Sequence, residues 1–204
     1  MARFTPDNLA VAEKIIARYP RKRSATIPLC HLAQEQEGYL TEEAMIQVAE
    51  LVDSTPAEVR GVASFYEMFK LHPVGKYVVG VCTNISCMLL GGEELLQHCS
   101  KKLGVKPGGT TEDGKFTLEE TECLAACTEA PALQVNYRYF DKVTPKMFDQ
   151  LVDDINAGLK NGDIPPHGTL SRVRQDIPDD RAFGVLSVEE AASPDRPART
   201  GAAK

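Results

Sequence analysis

Through the first 70 residues the apolar positions recur every three to four residues, and after Gly75 they gather into short β-branched runs. Thr5-Pro6 supplies an N-cap and a first helical residue, and Leu9, Ala12, Ile16 and Tyr19 follow at helical spacing. A second helix is predicted from Ile27 to Glu37, with Leu29, Leu32 and Ala33 inward and Gly38 as its stop. Thr41 caps a third over EEAMIQVAELV, whose acidic first turn suits the helix dipole. Thr55-Pro56-Ala57-Glu58 is a capping box with proline at the first position, opening a fourth helix through Val59 and Val62. Short helices joined by short loops predict a small antiparallel four-helix bundle over residues 1–72.

From residue 73 to 162 the pattern predicts a second domain. Lys76 to Val81 is β-branched and apolar, a buried strand that ends at Cys82. Gly92 to Leu103 reads as a helix with Leu95, Leu96, Cys99 and Leu103 on one side and Gly104 as C-cap. Phe116 to Thr121 alternates apolar and polar residues and leads into Cys123. Leu133 to Asn136 and Arg138 to Val143 predict a hairpin, and Thr144-Pro145 opens a last helix carrying Met147, Phe148, Leu151, Val152 and Ile155. The order β-α-β-β-β-α is that of an α/β domain with a thioredoxin-like layout, one sheet flanked by helices. Residues 163–204 mix Pro, Gly, Ser and charges without an apolar period, which predicts an extended or disordered tail.

Composition narrows the function. Of 204 residues, 43% are hydrophobic and 25% charged, as in a globular protein. A net charge of −6 and the lack of a basic run give no support to a nucleic-acid partner. No apolar run approaches the roughly 20 residues of a membrane-spanning helix, so no direct membrane insertion is expected. The first residues carry no signal-peptide core, and a reducing cytoplasm is the expected compartment. No G-x-G-x-x-G follows a strand, and no phosphate-binding loop or G-x-S-x-G is present. The chain thus has no evident means of binding a nicotinamide or flavin by itself.

The six cysteines carry the candidate chemistry. Cys82 and Cys87 form a C-x4-C, Cys123 and Cys127 a C-x3-C, with 35 residues between the pairs. Thiolates grouped on two short loops can hold a soft metal centre. Spacing alone leaves open a [2Fe–2S] cluster and a four-thiolate zinc site, with disulfides or free thiols as a weaker third reading. Gly91 and Gly92 let the chain turn back toward the site, Leu124 anchors the second loop, and Ala125 and Ala126 keep it uncrowded. Both pairs are expected in loops beyond strand ends at one edge of the sheet. Cys30 and Cys99 fall on apolar helical faces and read as core. His31, His72, His98 and His167 read as satisfied or solvated, and none lies within a cysteine loop, as a Rieske centre would need. The Glu119-to-Glu122 run reads as a solvated edge that also places negative charge near the site.

These residues resemble the E-type (24-kDa-type) component of bacterial NADH:quinone oxidoreductase, respiratory complex I, over about residues 5–160. The segment from Ile27 to Phe69 is similar to that family's amino-terminal bundle, and VGVCTNISCMLLGGEELL and ECLAACTEAPALQVN to its two cluster loops. The resemblance implies a thioredoxin-like [2Fe–2S] ferredoxin domain with Cys82, Cys87, Cys123 and Cys127 as iron ligands. It implies an electron-transfer subunit of NADH dehydrogenase that pairs with the flavin- and NADH-binding subunit and other peripheral-arm subunits. FMN and NADH would sit on that partner only, and the whole assembly on the cytoplasmic face of the inner membrane. The helical bundle, apart from the cysteine loops, is the expected docking surface. Ala125 departs from the family, which commonly has Gly there. Two rivals remain: the equivalent diaphorase subunit of an NAD-linked hydrogenase or formate dehydrogenase, and a zinc-bound structural adaptor.

Overall fold

A computed structural model describes residues 3–164. Its first part holds four helices: α1 (Pro6–Ile16), α2 (Thr26–Glu37), α3 (Glu42–Leu51) and α4 (Pro56–Phe65). Local chemistry explains their starts. The Thr5, Thr41 and Thr55 hydroxyls accept hydrogen bonds from the main-chain N–H groups of Asn8, Ala44 and Glu58, satisfying donors that the helix leaves open. Glu58 reaches back to the Thr55 N–H at 3.0 Å and completes the capping box. Gly38, at φ 81°, ends α2 in the left-handed conformation that glycine adopts at little steric cost.

These helices bury one apolar cluster built on Ala12, Ile15, Leu29, Cys30, Val48 and Val59. Three expected positions differ. Ile15 is buried beside Ala12 on α1 while Ile16 is only partly so, and Tyr19 lies beyond the helix and is exposed. On α4 Ala63 is buried and Val62 only partly so.

The second part is β1 (Tyr77–Cys82), α5 (Ile85–Leu89), α6 (Gly92–Leu103), β2 (Phe116–Thr121), β3 (Leu133–Val135), β4 (Arg138–Phe140) and α7 (Pro145–Asn156). The sheet order is β2-β1-β3-β4, with β1 and β2 parallel and the other neighbours antiparallel. A parallel pair needs a crossover, which α6 provides. Tyr77, Val79 and Val81 alternate toward α6 and α7, where Leu95, Cys99, Phe148, Leu151 and Ile155 close a second apolar cluster. Met147 is 49% exposed, because α7 buries only the stripe from Phe148 to Ile155.

Two features differ from the sequence-based expectation. The short helix α5 carries Cys87, so the first cysteine pair is not a plain loop. The segment after α4 lies against the sheet: Lys70 pairs with Glu119 of β2 and the Tyr137 hydroxyl donates to the Met68 carbonyl. The segment that follows the helices therefore touches the sheet. The expected tail from residue 165 onward lies outside the described residues. No described helix is long and apolar enough to cross a membrane.

Candidate metal centre

Parallel pairing of β1 and β2 brings the two cysteine segments together. Cys82 is the last residue of β1 and stands opposite Thr121, the last of β2, which Cys123 follows two residues later. The Thr83 N–H extends that ladder to the Thr121 carbonyl, and the Cys82 N–H donates to the Ala132 carbonyl at 3.1 Å. Asn84 starts α5 by accepting from the Ile85 N–H, and its amide donates to the Glu122 carboxylate at 3.2 Å. That helix turns Cys87 inward. Gly92 is required just behind it, since a Cβ there would lie 2.7 Å from the Cys82 carbonyl oxygen and 2.8 Å from that of Cys87.

On the second segment Leu124 is buried and packs with Cys82, Cys87, Ala130 and Ala132 in a small apolar cluster of its own. Cys123 and Cys127 stay exposed on either side of it. Ala125 holds φ 57°, and its N–H points at the Cys123 sulfur from 3.4 Å. Cys127 begins a single 3-10 turn ending at Glu129. The expectation of two loops beyond strand ends is thus corrected: Cys82 belongs to a strand and Cys87 to a helix, while Cys123 lies in a loop.

All four sulfur-bearing residues line one cavity of about 270 Å³ together with Asn84, Ile85, Ser86, Leu124, Ala126 and Ala132. No carboxylate or imidazole lines it, so the thiols are its only soft donors. Burial raises the Cys87 thiol pKa, and the neighbouring Cys82 and Cys127 sulfurs raise it further, against a main-chain hydrogen bond with Ala132 that lowers it. Gathered thiolates repel one another, and a cationic soft metal removes that conflict. Among the described residues no three His, Cys, Asp or Glu side chains converge on a point for a single ion. Four thiols on one cavity are a donor set that fits an iron–sulfur group.

The other candidates lie elsewhere. Cys30 and Cys99 are fully buried, and burial pushes each thiol up to about 12. His98 pairs with Asp149 at 2.8 Å, and the His31 ring lies tilted against Phe69 with centroids 4.7 Å apart. Neither they nor His72 line the thiol cavity, and His167 lies outside the described residues. Glu119, read as part of a solvated edge, is instead two-thirds or more covered and bonded to Lys70. Sequence reasoning missed α5, although Asn84 is an N-cap residue type and was the available signal.

A cysteine-lined cavity at one edge of a thioredoxin-like sheet defines a class of iron–sulfur proteins, and the family profile described as thioredoxin-like [2Fe-2S] ferredoxin matches residues 12–156. The E chain of NADH-quinone oxidoreductase from Mycobacterium tuberculosis (strain ATCC 25618 / H37Rv) is 40% identical over 189 residues, 87% of this chain and 74% of its own. The corresponding E chain of Rickettsia felis (strain ATCC VR-1525 / URRWXCal2) is 44% identical over 161 residues, 78% of this chain and 96% of its own. An NAD+-reducing [NiFe]-hydrogenase crystallised in the H2-reduced state shares the fold, with TM-score 0.56 and 23% identity over 63% of this chain and 22% of its own. The chain belongs to the thioredoxin-like [2Fe-2S] ferredoxin family and, within it, to the group of E-type components of NADH-quinone oxidoreductase. That places it in electron transport, as a subunit of an oxidoreductase complex.

Proposed function

We propose that Cys82, Cys87, Cys123 and Cys127 hold one [2Fe–2S] cluster, through which the chain exchanges single electrons with the FMN of an NADH-oxidising partner subunit. The observation that carries this reading is the shared cavity of the four thiols, with no carboxylate or imidazole in its lining. The cluster would supply one-electron chemistry at nearly constant geometry. The chain's own residues do the rest. The Ala125 N–H stabilises negative charge on the Cys123 sulfur, Leu124 and Ala132 keep the inner side of the cavity apolar, and α5 orients Cys87.

The partner we assign is the flavin- and NADH-binding subunit of complex I, alongside other peripheral-arm subunits, with FMN and NADH on that partner only. The cavity's flank suits a protein contact. Ile85, Met88, Leu89 and Leu90 are 68%, 43%, 73% and 60% exposed within six consecutive residues. Such an apolar patch is covered by a partner in most assemblies. This moves the docking surface from the helices to the edge that carries the thiols. In this reading residues 1–72 form a four-helix bundle, residues 73–162 the [2Fe–2S] domain, and the complex holds the chain at the cytoplasmic membrane face.

Replacing any one of the four cysteines with Ser tests the ligand set. Each variant is expected to lose the cluster's visible absorption or change it severely, since a hydroxyl matches soft iron poorly. Wild-type spectra from all four variants would refute the assignment. The isolated chain is expected to show no heat of NADH binding by calorimetry, and tight binding would contradict the carrier reading. Chains that co-purify at equal stoichiometry separate complex I from a hydrogenase or formate dehydrogenase module.

A further inference from the structure

Between the segment after α4 and the sheet lies a second, larger cavity of about 760 Å³, lined among others by Lys70, Glu119, Cys123 and Tyr137. Lys70 donates to both carboxylate oxygens of Glu119 at 2.7 Å and to the Glu67 carbonyl at 3.0 Å. Its side chain is only 12% exposed and that of Glu119 27%. The backbone that carries it is held too. The fully buried Gln34 accepts from the Lys70 N–H at 2.6 Å and donates to the Met68 carbonyl, and the Leu40 N–H donates to the Lys70 carbonyl.

The sheet side of this junction carries strain. Asn136 and Tyr137 form the β3–β4 turn at φ 46° and 65°, and the second position is one where glycine is favoured. Tyr137 takes it and reaches the Met68 carbonyl with its hydroxyl. Burial and the Glu119 charge push its phenol up to about 12. A bulky side chain kept in a strained turn is a mark of a constraint beyond packing.

Glu119 stands four residues before Cys123, so the strand separates their Cα atoms by at most about 13 Å. A charge that near a redox centre, and sheltered from solvent, shifts the balance between its two charge states. We infer that Lys70 is a positioning residue that sets the cluster's reduction potential from the helical part of the chain, by holding and neutralising Glu119. The inference rests on the cluster reading above. Reduction adds negative charge. An unpaired Glu119 therefore favours the oxidised state and lowers the potential, and an unpaired Lys70 raises it.

The test is a redox titration of the full, cluster-loaded chain, followed by visible absorption, for the wild type, Lys70→Met, Lys70→Arg, Glu119→Gln and the double variant Lys70→Met/Glu119→Gln. Lys70→Met is expected below the wild type and Glu119→Gln above it, with Lys70→Arg and the double variant near it. Loosened packing alone would move both single variants the same way. Shifts of equal sign, or no shift in either, overturn the inference. Should Lys70→Met not fold, the isosteric Glu119→Gln decides alone, and an unchanged or lowered potential overturns it. A wild-type chain that takes up no iron and sulfide refutes the cluster reading itself, and this inference with it, before any variant is made.

Discussion

The Cys82 thiol donates to the main-chain carbonyl of Glu122 at 3.0 Å, so the end of the first strand is bonded to the residue that precedes Cys123. The contact records how closely the β1–β2 pairing brings the two cysteine segments, although 40 positions separate the bonded residues, and a thiolate ligand would give up this bond while keeping the pairing. The cavity is thus built by the β1–β2 pairing and does not depend on loop-to-loop contacts alone. A framework of that kind keeps the ligands of a redox centre still while its charge changes.

Ala125 pays a conformational cost at φ 57°, where a Cβ crowds the backbone. Ala125→Gly is expected to raise stability by about 1 kcal/mol in urea unfolding, with the N–H to Cys123 contact kept. A loss of stability on substitution would show that the loop gains more from the alanine methyl than from relaxed backbone.

Cys30→Ser and Cys99→Ser are expected to lower stability by about 1–2 kcal/mol each, because each buries an imperfectly paired hydroxyl. Both sites are fully buried and lie outside the thiol cavity, so visible spectra should match the wild type. A bleached but folded Cys99→Ser protein would remove the distinction between core and ligand cysteines.

Much of this was legible because it is local. The Thr55–Glu58 capping box, the Gly38 and Gly104 stops and the strand from Phe116 to Thr121 each depend on residues close in the chain. The cysteine pairs were legible as chemistry, because their spacing is written in the sequence. The helix α5 was not, since five residues are too few to display a helical period. Nor was the Lys70–Glu119 pair: it joins positions 49 apart, and only the fold tells a half-buried Glu119 from its exposed neighbours Glu120 and Glu122. Tyr137 was hidden for the same reason, its turn position giving no sign of the Met68 carbonyl across the junction.

Acid should act on the start of α4. Hydrogen bonds from the Ser54 hydroxyl and from Thr55, with Arg23 at 2.7 Å, lower the Glu58 pKa from 4.5 to about 2. A depressed value stabilises the folded state above the unfolded pKa, and that contribution is lost as pH falls from 4.5 toward 2. Glu58→Gln is expected to be less stable at neutral pH and to lose less stability across that window. Parallel acid-unfolding curves for the two proteins would remove Glu58 from the cap's energetics.

The apolar strip beside the cavity makes a separate demand. Leu89→Glu places a charge where the proposed partner excludes water, and is expected to weaken association by about tenfold or more in a pull-down with the flavoprotein. Leu89 is 73% exposed in the chain alone, so its folding and its cluster spectrum should be unaffected. Unchanged association would return the interface to the helical part.

Iron and acid-labile sulfide, determined on anaerobically prepared full-length chain, test the central claim most directly. The four-thiol cavity predicts about two irons and two sulfides per chain and a red-brown colour. One zinc per chain with no sulfide would contradict it and leave a structural adaptor in its place.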